Sequence, residues 1–274
     1  MSGKLKLGTI VGVSMEPEAA VAKVSALGLP TFQACCGPDV YRSDQALERL
    51  RQTCADNGVE VSTVWAGLPG PAVWNFIDGP ATIGLVPPEY RPERTRALCD
   101  AAAWALRVGA PSITTHCGFI PADPKDPNYI GTVESLKEVA AACQANGVEF
   151  WFETGQETPI TLLRTIEDIG TDNLGINLDP ANLLMYGNGN PVDALDVFGP
   201  YVRGVHAKDG DYPTNGRELG HEKPMGQGRV NFPVLVPKLK SMGFQGALTI
   251  EREISGDQQI ADIKRAIAIL EPLC

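Results

Sequence analysis

Four short stretches in the C-terminal half each carry an apolar run into one residue able to ligate a metal. They are Phe150-Trp151-Phe152-Glu153, Gly175-Ile176-Asn177-Leu178-Asp179, Val202-Arg203-Gly204-Val205-His206 and Leu248-Thr249-Ile250-Glu251. Each reads as a buried strand with its polar residue at the C-terminal end. If the four strands share one parallel sheet, Glu153, Asp179, His206 and Glu251 converge on one point. Three carboxylates and an imidazole make a cage for a hard or borderline divalent cation. The single imidazole admits Mn²⁺, Co²⁺, Fe²⁺ or Zn²⁺ as well as Mg²⁺, and ligand type does not choose among them. Taken singly, each residue has a plainer role open to it, capping the next helix or pairing with a neighbouring lysine. Four such strands in succession make accident a poor account.

Other residues near these ends invite roles. Lys208 lies two residues beyond His206 on the same strand face, placed to bind a substrate oxygen or to polarise a carbonyl; the plainer reading pairs it with Asp209 or Asp211. Glu253 faces the same side as Glu251, but Glu251 directly ends the apolar run and is preferred. His116 ends another strand-like run and is either a substrate contact or a satisfied structural histidine. His221 falls in a polar loop and reads as exposed or loop-bracing, and Glu157 and Arg217 have less to recommend them. Gly226-Gln227-Gly228 precedes a helix start, a place where barrels bind phosphate, yet it reads better as a tight turn. It fits no P-loop, and Gly187/Gly189 lacks the third glycine of a dinucleotide fingerprint.

The elements that must position these residues alternate from end to end. Strand-like runs fall at about 5–13, 31–36, 59–68, 112–117, 148–153, 174–179, 202–206 and 247–251. Helical stretches fall at about 17–26, 43–57, 89–108, 133–146, 159–169, 191–197, 231–242 and 257–270, with Ser43 and Asn231 as N-caps and Gly58 as a stop. Two long loops interrupt the rhythm, at about 69–88 and 207–229; the first carries Trp74 and Phe76, which a merely solvated loop seldom holds. Eight strand–helix units with no linker predict one α/β domain over residues 1–274, a single (β/α)₈ TIM barrel. In such barrels the active site lies at the C-terminal strand ends, where Glu153, Asp179, His206, Glu251, His116 and both long loops map.

Composition narrows the classes. A chain of 274 residues, 43% hydrophobic, is long enough for one large core. Its net charge of −10 and the lack of a Lys/Arg cluster argue against a nucleic-acid partner. No run approaches the ~18 apolar residues of a membrane span, and the N-terminus has no signal-peptide core. Seven cysteines at irregular spacing, without C-x-x-C, suit reduced thiols in a cytoplasmic protein rather than structural zinc.

With these motifs in view, the chain resembles the sugar isomerase/epimerase superfamily with a xylose-isomerase-like TIM barrel. That superfamily includes ketose 3-epimerases, hydroxypyruvate isomerases, inosose dehydratases and the more distant endonuclease IV group. The likeness covers essentially the whole chain. It is carried by Phe152-Glu153-Thr154-Gly155, Asn177-Leu178-Asp179-Pro180-Ala181-Asn182, His206-Ala207-Lys208-Asp209, Gly226-Gln227-Gly228 and Ile250-Glu251-Arg252-Glu253. It implies that Glu153, Asp179, His206 and Glu251 bind one divalent ion (Mn, Mg, Co or Zn), and that Glu153 and Glu251 flank the reacting carbon as an acid/base pair. A metal on the carbonyl and neighbouring hydroxyl oxygens would stabilise the developing enediolate. Lys208, Asn182, His116 and Trp65 then become the expected substrate contacts, Trp65 and Trp74 because aromatic faces suit the apolar face of a sugar ring. One departure stands out: the epimerases carry His three residues after the strand-six Asp, where this chain has Asn182, which hydrogen-bonds but does not titrate.

The expected activity is thus a metal-dependent sugar or keto-sugar isomerase or epimerase with a small carbohydrate as its partner. The same site could instead run β-elimination, as a lyase or dehydratase on a keto-sugar, keto-inositol or 3-keto-glycoside. An endonuclease IV-like phosphodiesterase would need further His and carboxylate ligands on early strands, and the chain has three histidines in all. No membrane or nucleic acid is expected. Assembly as a homo-oligomer, dimer or tetramer, is what the resemblance implies.

Overall fold

The computed structural model describes residues 4–274. Eight strands form the centre: β1 (Leu7–Gly12), β2 (Thr31–Cys36), β3 (Glu60–Ala66), β4 (Ser112–His116), β5 (Glu149–Glu153), β6 (Leu174–Leu178), β7 (Val202–Ala207) and β8 (Leu248–Ile250). Each pairs in parallel with its sequence neighbour, and β1 closes the barrel on β8 through Leu7 opposite Leu248. The run of helices between strands that the sequence predicts is what lets every connection cross over and keep the strands parallel.

Helix ends follow local chemistry. Ser43 Oγ accepts from Ala46 N at 3.2 Å to start Asp44–Asn57, and Gly58 at φ 61° ends it. Elsewhere the expectations need correction. The helix placed at 133–146 spans Pro127–Ala145, because Asp126 caps it by accepting from Asn128 N at 2.7 Å and Pro127 fits its first turn. A short helix, Pro180–Met185, follows β6 unannounced, capped by Asp179. Asn231 does not cap Phe232–Ser241 through its side chain; it sits in left-handed backbone at φ 59°. The 207–229 stretch is no mere loop, since Asp209–Gly210 and Glu222–Lys223 pair as a small antiparallel hairpin. Strands β6 and β8 end one residue earlier than expected, which leaves Asp179 and Glu251 just past the ladder, free to turn inward.

Inside the barrel, Trp151 shares the inward face of β5 with Glu153. Gly175 and Gly204 make room for its indole: a Cβ at either would come within 2.6 or 3.1 Å of the ring. Above this layer the interior turns polar, with Gln33, Asn177 and Thr249 all buried. The 69–88 loop is clamped rather than free. Arg94, 1% exposed, donates to the carbonyls of Pro69, Pro71, Thr82 and Gly84 at 2.7–3.0 Å. No described helix is long and apolar enough to cross a membrane, and all seven cysteines are unpaired thiols.

Candidate functional site

Glu153, Asp179, His206 and Glu251 meet at the C-terminal mouth of the barrel, each offering one ligand atom within 4.8 Å of the others. His206 Nδ1 lies 2.9 Å from Glu153 Oε1, 2.8 Å from Glu251 Oε2 and 4.0 Å from Asp179 Oδ2. Among the described residues this is the one such cluster of three or more ligand-type side chains.

Two features fit the cluster to a divalent cation. His206 Nδ1, Asp179 Oδ2 and Glu251 Oε2 are buried without a well-aligned hydrogen-bond partner, and all three atoms face one shared point. The second feature is the orientation of the imidazole. His206 Nε2 meets Gln33 Oε1 at 2.7 Å, and Gln33 Nε2 donates to Asn177 Oδ1 at 3.0 Å. The amide is thereby turned so that its oxygen takes the Nε2 proton and leaves Nδ1 to ligate. Sequence reasoning missed Gln33, whose signal is an amide standing at an inward position in the apolar run Thr31-Phe32-Gln33-Ala34.

Asp179 serves both roles considered for it. Its Oδ1 caps the helix by accepting from Asn182 N at 2.8 Å, while Oδ2 turns to the cluster. Thr154 clips the turn, donating from Oγ1 to Asp179 O and accepting from Asp179 N, both at 2.9 Å. Glu153 is held from two sides: Trp65 Nε1 donates to Oε2, and His116 Nε2 lies 3.2 Å from Oε1.

Electrostatics follow from this crowding. Burial pushes the Glu153 carboxyl up, and the His116 and His206 rings more than reverse this, leaving it well below the usual carboxylate range. Glu251 is likewise raised by burial but lowered further by Lys208 and His206, to about 2. Asp179 goes the other way: burial, countered by Lys208 and reinforced by Glu251, pushes it up to about 7. Burial alone would keep His206 neutral, but Glu153 and Glu251 hold its proton well above the ordinary value.

A cavity of about 340 Å³ opens over the cluster, lined by Ile10, Cys35, Trp65, Trp74, His116, Glu153, Asn182, Met185, Tyr186, Leu219, Glu251 and Glu253. Trp65, His116 and Asn182 thus reach the space where a substrate would sit. Lys208 does not: it is 1% exposed beneath Glu253, with Nζ 2.8 Å from Glu253 Oε1, 3.3 Å from Asn182 Oδ1 and 3.5 Å from Asp179 Oδ2. Trp74, from the clamped loop, packs edge-on to His116 with ring centroids 5.1 Å apart. His221 is exposed. A second cavity of about 720 Å³, lined by Lys6, Arg51 and Trp151 among others, opens at the opposite mouth, away from every ligand atom. The N-terminal mouth of a barrel serves stability, so the site is assigned to the C-terminal one.

The Gly226–Gly228 turn is spoken for by the protein itself. Asp209 Oδ2 accepts from Gly226 N at 2.9 Å and Gly228 N at 3.0 Å, and Oδ1 from Gly210 N and Val230 N. A side-chain carboxylate fills the place a phosphate would take.

Barrel, ligand set and strand order together invite comparison with known proteins. Residues 21–273 match the family described as the xylose isomerase-like TIM barrel. The chain belongs to that family. A xylose isomerase domain protein of Planctomyces limnophilus is 32% identical, with a TM-score of 0.92 over 99% of this chain and 98% of that one. A D-psicose 3-epimerase of Clostridium cellulolyticum H10, solved with D-tagatose, is 16% identical, with a TM-score of 0.73 over 98% of this chain and 99% of that one. A xylose isomerase-like TIM barrel protein of Mycobacterium smegmatis, solved in complex with magnesium, is 16% identical, with a TM-score of 0.72 over 98% and 97%. At such identities the last two share the fold. Among curated relatives, protein MJ1311 of Methanocaldococcus jannaschii is 29% identical over 179 residues, a match that spans 59% of either chain.

Proposed function

We propose that this family member is a divalent-metal-dependent isomerase or epimerase of a small sugar or keto-sugar. The observation that carries the reading is the placement of two carboxylates, Glu153 and Glu251, both in the wall of one cavity and both in a buried four-residue cluster. They enter from strands three places apart around the barrel, so a carbon held between them can lose a proton to one and regain it from the other. Glu153, Asp179, His206 and Glu251 would hold the ion, which when bound would supply the electrophile that steadies charge on the carbonyl oxygen as the neighbouring C–H is broken. Trp65 fixes the rotamer of Glu153 through its indole N–H. Asn182 offers its amide to a hydroxyl, in the place where the ketose epimerases carry histidine. Trp74, Tyr186 and Leu219 line the same cavity. A structure of the same fold, solved with D-tagatose, supports a carbohydrate substrate for this chain as well.

Proton NMR in D₂O tests the reading. A panel of ketoses, inososes and 3-keto-glycosides is incubated with Mn²⁺-loaded protein, chelated protein and the Glu153→Gln and Glu251→Gln variants. Deuterium uptake at one carbon, lost on chelation and in both variants, is the expected outcome. Loss of a leaving group with a new enone signal would move the assignment to a lyase, and exchange that survives in both variants would sink the acid/base pair.

A further inference from the structure

We propose that Glu253 is a specificity-determining residue of this cavity, a hydroxyl acceptor that admits neutral polyhydroxylated substrates and turns away phosphorylated or carboxylated ones. The inference rests on the function proposed above only in placing the substrate in this cavity.

Glu253 lies two residues beyond Glu251 and reaches the same wall. Its Oε1 accepts from Lys208 Nζ at 2.8 Å, while Oε2 makes no hydrogen bond among the described residues, and the side chain is 55% exposed. Among the described residues, Lys208 is the lysine whose ammonium contacts the cluster, and it is sealed beneath, facing Asp179 at 3.5 Å and Glu251 at 3.8 Å. A substrate therefore meets the carboxylate and not the ammonium.

That carboxylate is presented from a fixed backbone. Glu253 N donates to both oxygens of Glu222, at 3.0 and 3.2 Å. Glu222 comes from the hairpin over β7 and is paired with Arg252, whose Nε donates to Asp262 Oδ2 at 2.7 Å. An ionised carboxylate only accepts hydrogen bonds, so hydroxyls are its natural partners and anions are repelled.

In the wall, His116 faces Glu153 at 3.2 Å, and a divalent ion bound by the cluster would be met by three carboxylates. Among the described residues lining the cavity there is no lysine or arginine. Of the cations in the 207–229 segment, Lys223 and Arg229 face Asp211 at 3.4 and 3.7 Å, and Arg217 is exposed and does not line the cavity. The Gly226–Gly228 turn, whose amides could take a phosphate, is occupied by Asp209. Charge, sealing of Lys208 and the filled turn all point to a neutral substrate.

Binding to the Mn²⁺-loaded protein is measured by calorimetry with glucitol and with glucitol 6-phosphate, in the wild type and in Glu253→Gln. Expected are at least a 100-fold preference of the wild type for glucitol and, in the variant, glucitol binding weakened about tenfold with the preference shrunk by tenfold or more. Glu253→Ala, checked for fold by circular dichroism, should behave like the amide. Equal or tighter binding of the phosphate by the wild type, no binding of glucitol, or a variant indistinguishable from wild type would each overturn the inference. These readouts need no turnover. If D₂O exchange fails while glucitol is still preferred over its phosphate, the proton-transfer reading falls and the role of Glu253 stands.

Discussion

Gln33 shows how one side chain outside the ligand set decides what the set can do. An imidazole between three carboxylates has two ring nitrogens, and only one should face the ion. The Gln33 oxygen at 2.7 Å from Nε2 makes that choice, and Asn177 at 3.0 Å keeps the amide from turning over. Partners of this kind are worth about 10–100-fold in metal affinity. Gln33→Leu, which keeps the volume but gives Nε2 no acceptor, should weaken Mn²⁺ binding by that factor with the far-UV spectrum unchanged. Calorimetric titration with Mn²⁺ checks it, and an affinity within twofold of wild type would show that the tautomer is set elsewhere. The four clustered residues were legible because each terminates an apolar run. Gln33 was not, since its partner lies 173 residues away and an amide at an inward strand position does not say what it will meet. Lys208 was half legible: its position beside His206 is as expected, but only the fold shows Glu253 lying over it.

The two long segments at the mouth are held by opposite devices. Loop 69–88 surrounds a buried cation, Arg94, which spends its guanidinium on four backbone carbonyls. The hairpin segment after β7 surrounds a carboxylate, Asp209, which gathers four backbone N–H groups. Hydrogen bonds to charged groups contribute roughly 1.5–3 kcal/mol each where they are buried, so removing the charge should free the loop locally before it unfolds the barrel. Arg94→Met should raise amide exchange across 69–86 by at least tenfold, leave the barrel strands protected, and raise KM through loss of the Trp74 wall. Hydrogen-exchange mass spectrometry would read it, and an unchanged loop would mean that Arg94 only fills space. From the sequence, the loops were visible as breaks in the alternation and Trp74 marked the first as more than a linker. Their clamps were not visible, because an arginine in the helix Arg91–Val108 looks like any solvated helix charge until its neighbours are known. The start of Pro127–Ala145 was hidden for a related reason: a Pro- and Asp-rich segment reads as loop, yet Asp126-Pro127 is also a sound helix start.

At the scale of the whole molecule, fold stability and the ion are linked through the protons that the cluster holds without it. Asp179 titrates near 7 and His206 well above its ordinary value, so the metal-free fold binds more protons than the unfolded chain between the unfolded and folded values. Stability without metal therefore falls as pH rises through that window, because deprotonation leaves carboxylates facing one another in a buried site. A divalent cation bound there would take the same lone pairs and release those protons, so its affinity should climb as the pH rises. The two trends diverge, and the stabilisation by metal should grow with pH. At a Mn²⁺ concentration about 100 times Kd, the gain is roughly 2.7 kcal/mol, or about 5 °C in Tm for a chain of this size. Thermal unfolding with and without Mn²⁺ should show this shift at pH 8 and at most half of it at pH 6, with calorimetry in two buffers of different ionisation enthalpy reporting proton release. A shift of equal size at both pH values would mean that the cluster is not where the ion binds. No shift at either, with Mn²⁺ at millimolar levels, would remove the metal from the proposed chemistry altogether.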